Sequence, residues 1–183
     1  VVYTVTPTSG AQGTCVGETF EVTVVVNPTP VIPNLTDEIC SAETFTVTPL
    51  NTPPATIVPA GTTYVWTVFD SSGLVTGETD TTTAQTSISQ TLTNDSNVPQ
   101  TVVYTVTPTS GANGSCVGLD FTVSVEVDPK PSIDAVFPAA ICSGASFSVS
   151  PVNGGGINST DIVPANTTYT WTVFDSSGLV TGE

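Results

Sequence analysis

Residues 101–127 read TVVYTVTPTSGANGSCVGLDFTVSVEV. Val102, Tyr104 and Val106 alternate with Val103 and Thr105, and Phe121, Val123, Val125 and Val127 alternate with Thr122, Ser124 and Glu126. A period of two sends successive side chains to opposite faces of a strand. The stretch therefore predicts two strands, each with an apolar face, joined by a loop that Gly111, Gly114 and Gly118 punctuate. Residues 1–26, VVYTVTPTSGAQGTCVGETFEVTVVV, repeat it: Tyr3 corresponds to Tyr104 and Cys15 to Cys116, an offset of 101 in each case.

Reading outward from there, a second block also returns. EICSAETFTVTP becomes AICSGASFSVSP, with Cys40 matching Cys142, and IVPAGTTYVWTVFDSSGLVTGE becomes IVPANTTYTWTVFDSSGLVTGE, with Trp66 matching Trp171. The offset drifts from 102 to 105 through a loop insertion at 153–160. A period near ~100 residues is one immunoglobulin-sized sandwich per repeat. The frame follows from Pro28-Thr29-Pro30 and Pro129-Lys130-Pro131, extended steps that cannot donate ladder hydrogen bonds. Residues 1–28 read as the C-terminal part of a preceding repeat, 29–129 as a complete repeat, and 130–183 as the N-terminal part of the following one. The chain shows no signal peptide and is expected to be a mature or excised piece of a longer tandem array.

The expected fold class is all-β: tandem immunoglobulin-like sandwiches of about seven strands. In the complete repeat the strands are expected near 31–35, 44–50, 62–69, 74–77, 86–93, 101–109 and 120–127. Alternation turns Phe45, Tyr64, Trp66, Val68, Ile88, Leu92, Tyr104 and Phe121 inward, with Trp171 holding the equivalent core position in the next copy. Thr and Val, both β-branched, dominate the composition and favour strands.

Charge excludes whole classes of function. Sixteen acidic residues face one lysine, Lys130, for a net charge of -15, and there is no histidine. Nucleic-acid binding needs many cations to displace phosphate counterions. Histidine-based acid–base catalysis and His-ligated metals are impossible. No apolar run approaches the roughly 20 residues of a membrane span.

The runs ICSAETFTVTP, IVPAGTTYVWTV, SISQTLTN, TVVYTVTPTSG and FTVSVEVDPKP resemble the PKD-like, immunoglobulin-like repeats of large surface proteins from Bacteroidetes bacteria, including adhesins of gliding species. The resemblance covers the whole chain. It implies export through an outer-membrane route and display as extended extracellular strings of sandwiches. It also gives meaning to Asp80-Thr81-Thr82, which resembles the O-glycosylation motif of secreted Bacteroidetes proteins, with Thr81 as acceptor in a Thr-rich loop. Asn34, Asn94, Asn113, Asn158 and Asn166 fit N-x-[ST].

Few other residues suggest chemistry. Asp37 and Glu38 near a domain end, and Glu78 and Asp80 in a polar loop, are oxygen ligands that calcium at a junction would accept, although no D-x-D-x-D loop is present. No other cofactor is expected. Phe69 and Phe174 have outward parity and are the expected exposed aromatics. Two cysteines recur per repeat. Cys40 is expected in the loop before the second strand and Cys116 in the loop between the last two, at opposite ends of a sandwich. An inter-repeat bridge is therefore favoured over a Cys40–Cys116 bridge or free thiols, with Cys15 and Cys142 in equivalent places. The expected role is a structural and adhesive stalk or filament module without catalysis. An accessory carbohydrate-binding or spacer module of a secreted enzyme is the alternative. Expected partners are neighbouring repeats, laterally associated chains, and a glycan or surface ligand of unknown identity.

Overall fold

A computed structural model describes residues 1–10, 12–156, 159–175 and 178–179. Among these the strands are β1 (Val2–Val5), β2 (Phe20–Thr23), β3 (Leu35–Cys40), β4 (Glu43–Val47), β5 (Thr63–Asp70), β6 (Val75–Thr76), β7 (Thr81–Gln85), β8 (Ile88–Asn94), β9 (Gln100–Thr109) and β10 (Phe121–Asp128). No described residue is helical. Strands β3 to β10 build a sandwich of a five-stranded sheet, ordered β3-β10-β9-β5-β7, and a three-stranded sheet, ordered β4-β8-β6.

The apolar stripes meet between the sheets. Phe45, Tyr64, Trp66, Val75, Ile88, Leu92, Tyr104, Phe121 and the valines at 102, 106, 123, 125 and 127 are buried. The β9–β10 register pairs Val106 with Phe121, Tyr104 with Val123 and Val102 with Val125, so both strands present one apolar face. Two of the ring pairs meet edge to face, as their quadrupoles prefer, and a third is tilted. Trp66 lies 6.4 Å from Tyr104, Tyr64 lies 6.4 Å from Phe121, and Phe45 packs on Tyr104 at 5.0 Å.

Two elements differ from the sequence reading. The first strand lies at Leu35–Cys40 rather than 31–35, and Val31 makes only a bridge to Ile57. Pro30 and Pro33 remove ladder donors on both sides of Val31 and Ile32, so continuous pairing begins beyond them. β3 then runs parallel to β10, from Leu35 opposite Val123 to Cys40 opposite Asp128. Strand β7 falls where the sequence reads as a Thr-rich loop, since TTTAQ has no apolar alternation. It is held by β5 through Trp66–Thr81 and Tyr64–Gln85, with a register shift between the two pairs.

The flanking segments lack a covering sheet. β1 and β2 form an antiparallel hairpin, Val2 opposite Thr23 to Val5 opposite Phe20, with Tyr3, Phe20 and Val22 exposed. After residue 131 the described residues form no strand. The Ser132–Ile162 bridge there repeats Val31–Ile57 of the complete repeat. Trp171 is not a core residue, contrary to the sequence reading: it is 80% exposed, against 6% for Trp66. Trp66 is covered by Tyr104 on β9 and capped from the segment before β7, and residues 130–183 contain no counterpart of either.

Candidate functional site

The chain crosses from the small sheet to the large one through residues 77–80, and a polar network holds that crossing. Thr79 donates its N–H to Gln90 Oε1 at 3.0 Å, and its carbonyl accepts from Gln90 Nε2 at 2.7 Å and Trp66 Nε1 at 3.0 Å. The Tyr104 hydroxyl donates to the same Gln90 Oε1 at 2.9 Å. Gly77 admits this path: its φ is +97°, and a Cβ there would lie 2.2 Å from the Thr91 carbonyl oxygen. Burial pushes the Tyr104 phenol well above its usual range, and the nearby Glu78 carboxylate pushes it further. The sequence reading placed Tyr104 and Trp66 in the core but gave no role to Gln90 or Thr79. Nothing in the pattern marks Gln90 as the partner of the Tyr104 hydroxyl and of the Thr79 backbone.

The acidic candidates fall into two separate groups. Asp37 and Glu38 lie within β3, three and two residues before its end at Cys40. Asp37 shares the half-buried side of β3 with Leu35 and Ile39, whereas Glu38 faces water beside Glu126, its register partner on β10. Thr36, Asp37, Glu38, Thr101, Ser124 and Glu126 line a shallow hollow of ≈ 470 Å³ on that edge. Asp80 accepts the Val68 amide at 2.7 Å, so it holds β5 just beyond the Trp66–Thr81 pair, where the pairing with β7 ends. Glu78 Oε2 is buried without a hydrogen-bond partner. Among the described residues no group of three or more Asp, Glu, His or Cys side chains is placed to hold a metal ion.

Asp70 closes the β5–β6 turn. Its Oδ1 accepts from the Ser72 N–H and hydroxyl, and its Oδ2 accepts from the Val75 N–H. Partial burial pushes its pKa up, but the Ser72 hydroxyl and the amides of Val75, Ser72 and Gly73 outweigh it and hold the carboxyl below its usual value.

The proposed modification sites are placed as follows. Thr81 opens β7 and is half-buried opposite Trp66, not in an accessible loop; its hydroxyl is engaged with Thr83. Asn94 is buried, which closes that sequon to a glycan in the folded repeat. Asn34 and Asn113 are exposed, as is Asn166, and Asn158 lies outside the described residues. Phe69 is 67% and Phe174 90% exposed, but Phe137, Phe147 and Trp171 are exposed as well, since the flanking segments lack their covering strands.

The cysteines bear on the repeat junctions. Cys40 ends β3 rather than lying in the loop beyond it, and Asp128 pairs with it at the end of β10. Cys116 lies in the β9–β10 loop, where its carbonyl accepts from the Ser110 N–H at 2.9 Å. In that same loop the Asn113 carbonyl accepts a hydrogen bond from Asn27 Nδ2, which belongs to the end of the preceding repeat. The sequence marks Asn113 only as a sequon and gives no role to Asn27.

A family model described as a PKD-like domain matches residues 1–30 and 37–131. No curated protein matches the chain.

Proposed function

The chain belongs to the PKD-like domain family, and from that membership we propose that it is a structural and adhesive repeat module of an extended extracellular bacterial surface protein. The observation that carries this reading is the repetition itself: one sandwich pattern recurs in register along the chain, with Tyr3 matching Tyr104 and Trp66 matching Trp171. PKD-like domains are generally non-catalytic and typically occur in extracellular proteins, which supports a module outside the cell that performs no reaction. No helix among the described residues is long and apolar enough to cross a membrane. The aromatics of the complete repeat are spent on its core, apart from Phe69, so it offers no strip of rings to a sugar. A net charge of -15 keeps such strings mutually repelling in solution.

The test is the dimension of arrays with one, two and four complete repeats, measured by small-angle X-ray scattering. An extended module adds a constant increment of about 30 Å per repeat, the length of a strand and its turns. A maximum dimension that grows much more slowly would reject the stalk. Tight binding of the chain to a printed glycan array would replace it with a carbohydrate-binding module.

A further inference from the structure

We propose that successive repeats are joined by a disulfide between Cys40 and the cysteine that corresponds to Cys116 in the repeat that follows. The inference rests on the tandem-array part of the reading above and not on adhesion.

Three observations meet at the junction. First, Cys40 pairs with Asp128 at the far end of β10, and the Ser41 N–H donates to the Asp128 carbonyl at 2.8 Å. Cys40 is thus fixed at the exit of the complete repeat. Second, Asn27 occupies in the preceding repeat the position that Asp128 occupies here, at the same offset of 101 that relates Cys15 to Cys116. Third, Asn27 donates its side-chain N–H to the Asn113 carbonyl, so the exit of one repeat touches the β9–β10 loop of the next. Cys116 is in that loop, and the Asn27 amide lies 3.5 Å from where a Cβ on Gly114 would stand, in ordinary van der Waals contact with the loop. Moving this junction forward by one repeat sets Cys40 against the next copy of the Cys116 loop.

The same geometry disfavours a bridge inside one repeat. The eight residues of β10 separate the Cys116 loop from the Cys40 end, about 25 Å of extended chain, and a cystine needs Cα atoms within roughly 7 Å. Cys40 is exposed and Cys116 half-buried, so both thiols are reachable.

The chemistry is thiol–disulfide exchange with a small-molecule disulfide such as oxidised glutathione. One cysteine thiolate attacks the oxidant and releases one glutathione thiolate. The second cysteine thiolate then attacks the protein sulfur of the mixed disulfide and releases the other. One S–S bond forms in the protein as one breaks in glutathione, and the two protons and two electrons leave with two glutathione thiols.

The experiment uses the whole chain extended in register. Glu183 corresponds to Glu78, so a second copy of residues 79–183 attached after Glu183 completes the third sandwich. In one version the original Cys116 is replaced, Cys116→Ser, and its copy is kept; in the other the original is kept and the copy carries the serine. Both are equilibrated with oxidised glutathione, alkylated, and mapped without reduction after cleavage at acidic residues. The first version should lose nearly all alkylation at Cys40 and yield a Cys40 peptide linked to the copied loop. The second should leave Cys40 without a link to the original Cys116. Free Cys40 in the first version, or a Cys40–Cys116 link in the second, overturns the staple. Either result leaves the array reading standing, because scattering tests that separately.

Discussion

Asn94 makes four side-chain hydrogen bonds while buried. Its Nδ2 donates to the carbonyls of Val98 and Val127, each at 2.8 Å, and its Oδ1 accepts from the Ser96 N–H at 2.9 Å and hydroxyl at 2.7 Å. Replacing it with alanine leaves the buried Val127 carbonyl without this donor, and Asn94→Ala should cost about 2–4 kcal/mol in urea unfolding. Asn34→Ala, which loses one exposed bond to the Thr122 N–H, should cost about 1 kcal/mol or less. At Trp66 two changes separate packing from bonding. Trp66→Ala should cost about 3–5 kcal/mol through the cavity it opens. Trp66→Phe keeps most of the ring but strips a donor from the Thr79 carbonyl, and should cost less. The titrating groups act at opposite ends of the pH range. The folded-state pKa of Tyr104 lies above its usual value of 10.0, so its contribution is complete below about pH 10 and is lost as pH rises beyond that. The folded-state pKa of Asp70 lies below 3.8, so its contribution is complete above that value and is lost as the solution becomes more acid. Tyr104→Phe should flatten the alkaline limb of a stability–pH curve, and Asp70→Asn the acid limb.

Among the elements, the two edge strands of the large sheet were the hardest to read from sequence. β9 and β10 announce themselves, because valines and aromatics alternate with polar residues over their whole length. β7 is TTTAQ and β3 is LTDEIC, with half-buried sides that are not wholly apolar, so alternation gives little signal there. Their positions are fixed by partners distant in the chain: β5 for the first and β10 for the second. The same limit applies to the network at Gln90, whose partners Thr79 and Tyr104 come from other elements. The charge of Asp37 on the inner side of β3 has a physical rationale: a carboxylate there opposes the docking of a further strand on that edge. Asp37→Val should therefore raise the melting temperature of the isolated chain slightly and make it self-associate. Sedimentation velocity across a concentration series would register the association, and a monomer at every concentration would remove this role from Asp37.

For the whole molecule, the uneven burial predicts uneven stability. The core runs from Ile32 to Val127, and neither the exposed hairpin β1–β2 nor the described residues after 131, which form no strand, belong to it. A two-stranded hairpin alone is marginal in water. A protein of residues 30–128 should accordingly unfold in one cooperative transition within a few degrees of the full chain, as calorimetry would record. If it is unfolded by circular dichroism, the repeat frame is misplaced. The parallel pairing of β3 with β10 also determines how a repeat behaves under tension. Entering through β3 and leaving through β10, the chain is pulled from opposite ends of two adjacent parallel strands. Tension then slides them past one another, loading all the hydrogen bonds between Leu35–Cys40 and their partners at once. Pulling instead from Asn34 and Asp120, which lie at the same end of that pair, would peel the bonds apart one after another. A single repeat held by its natural ends should therefore resist rupture to a much higher force than one held at those two residues, which is the property a tether in a shearing flow requires.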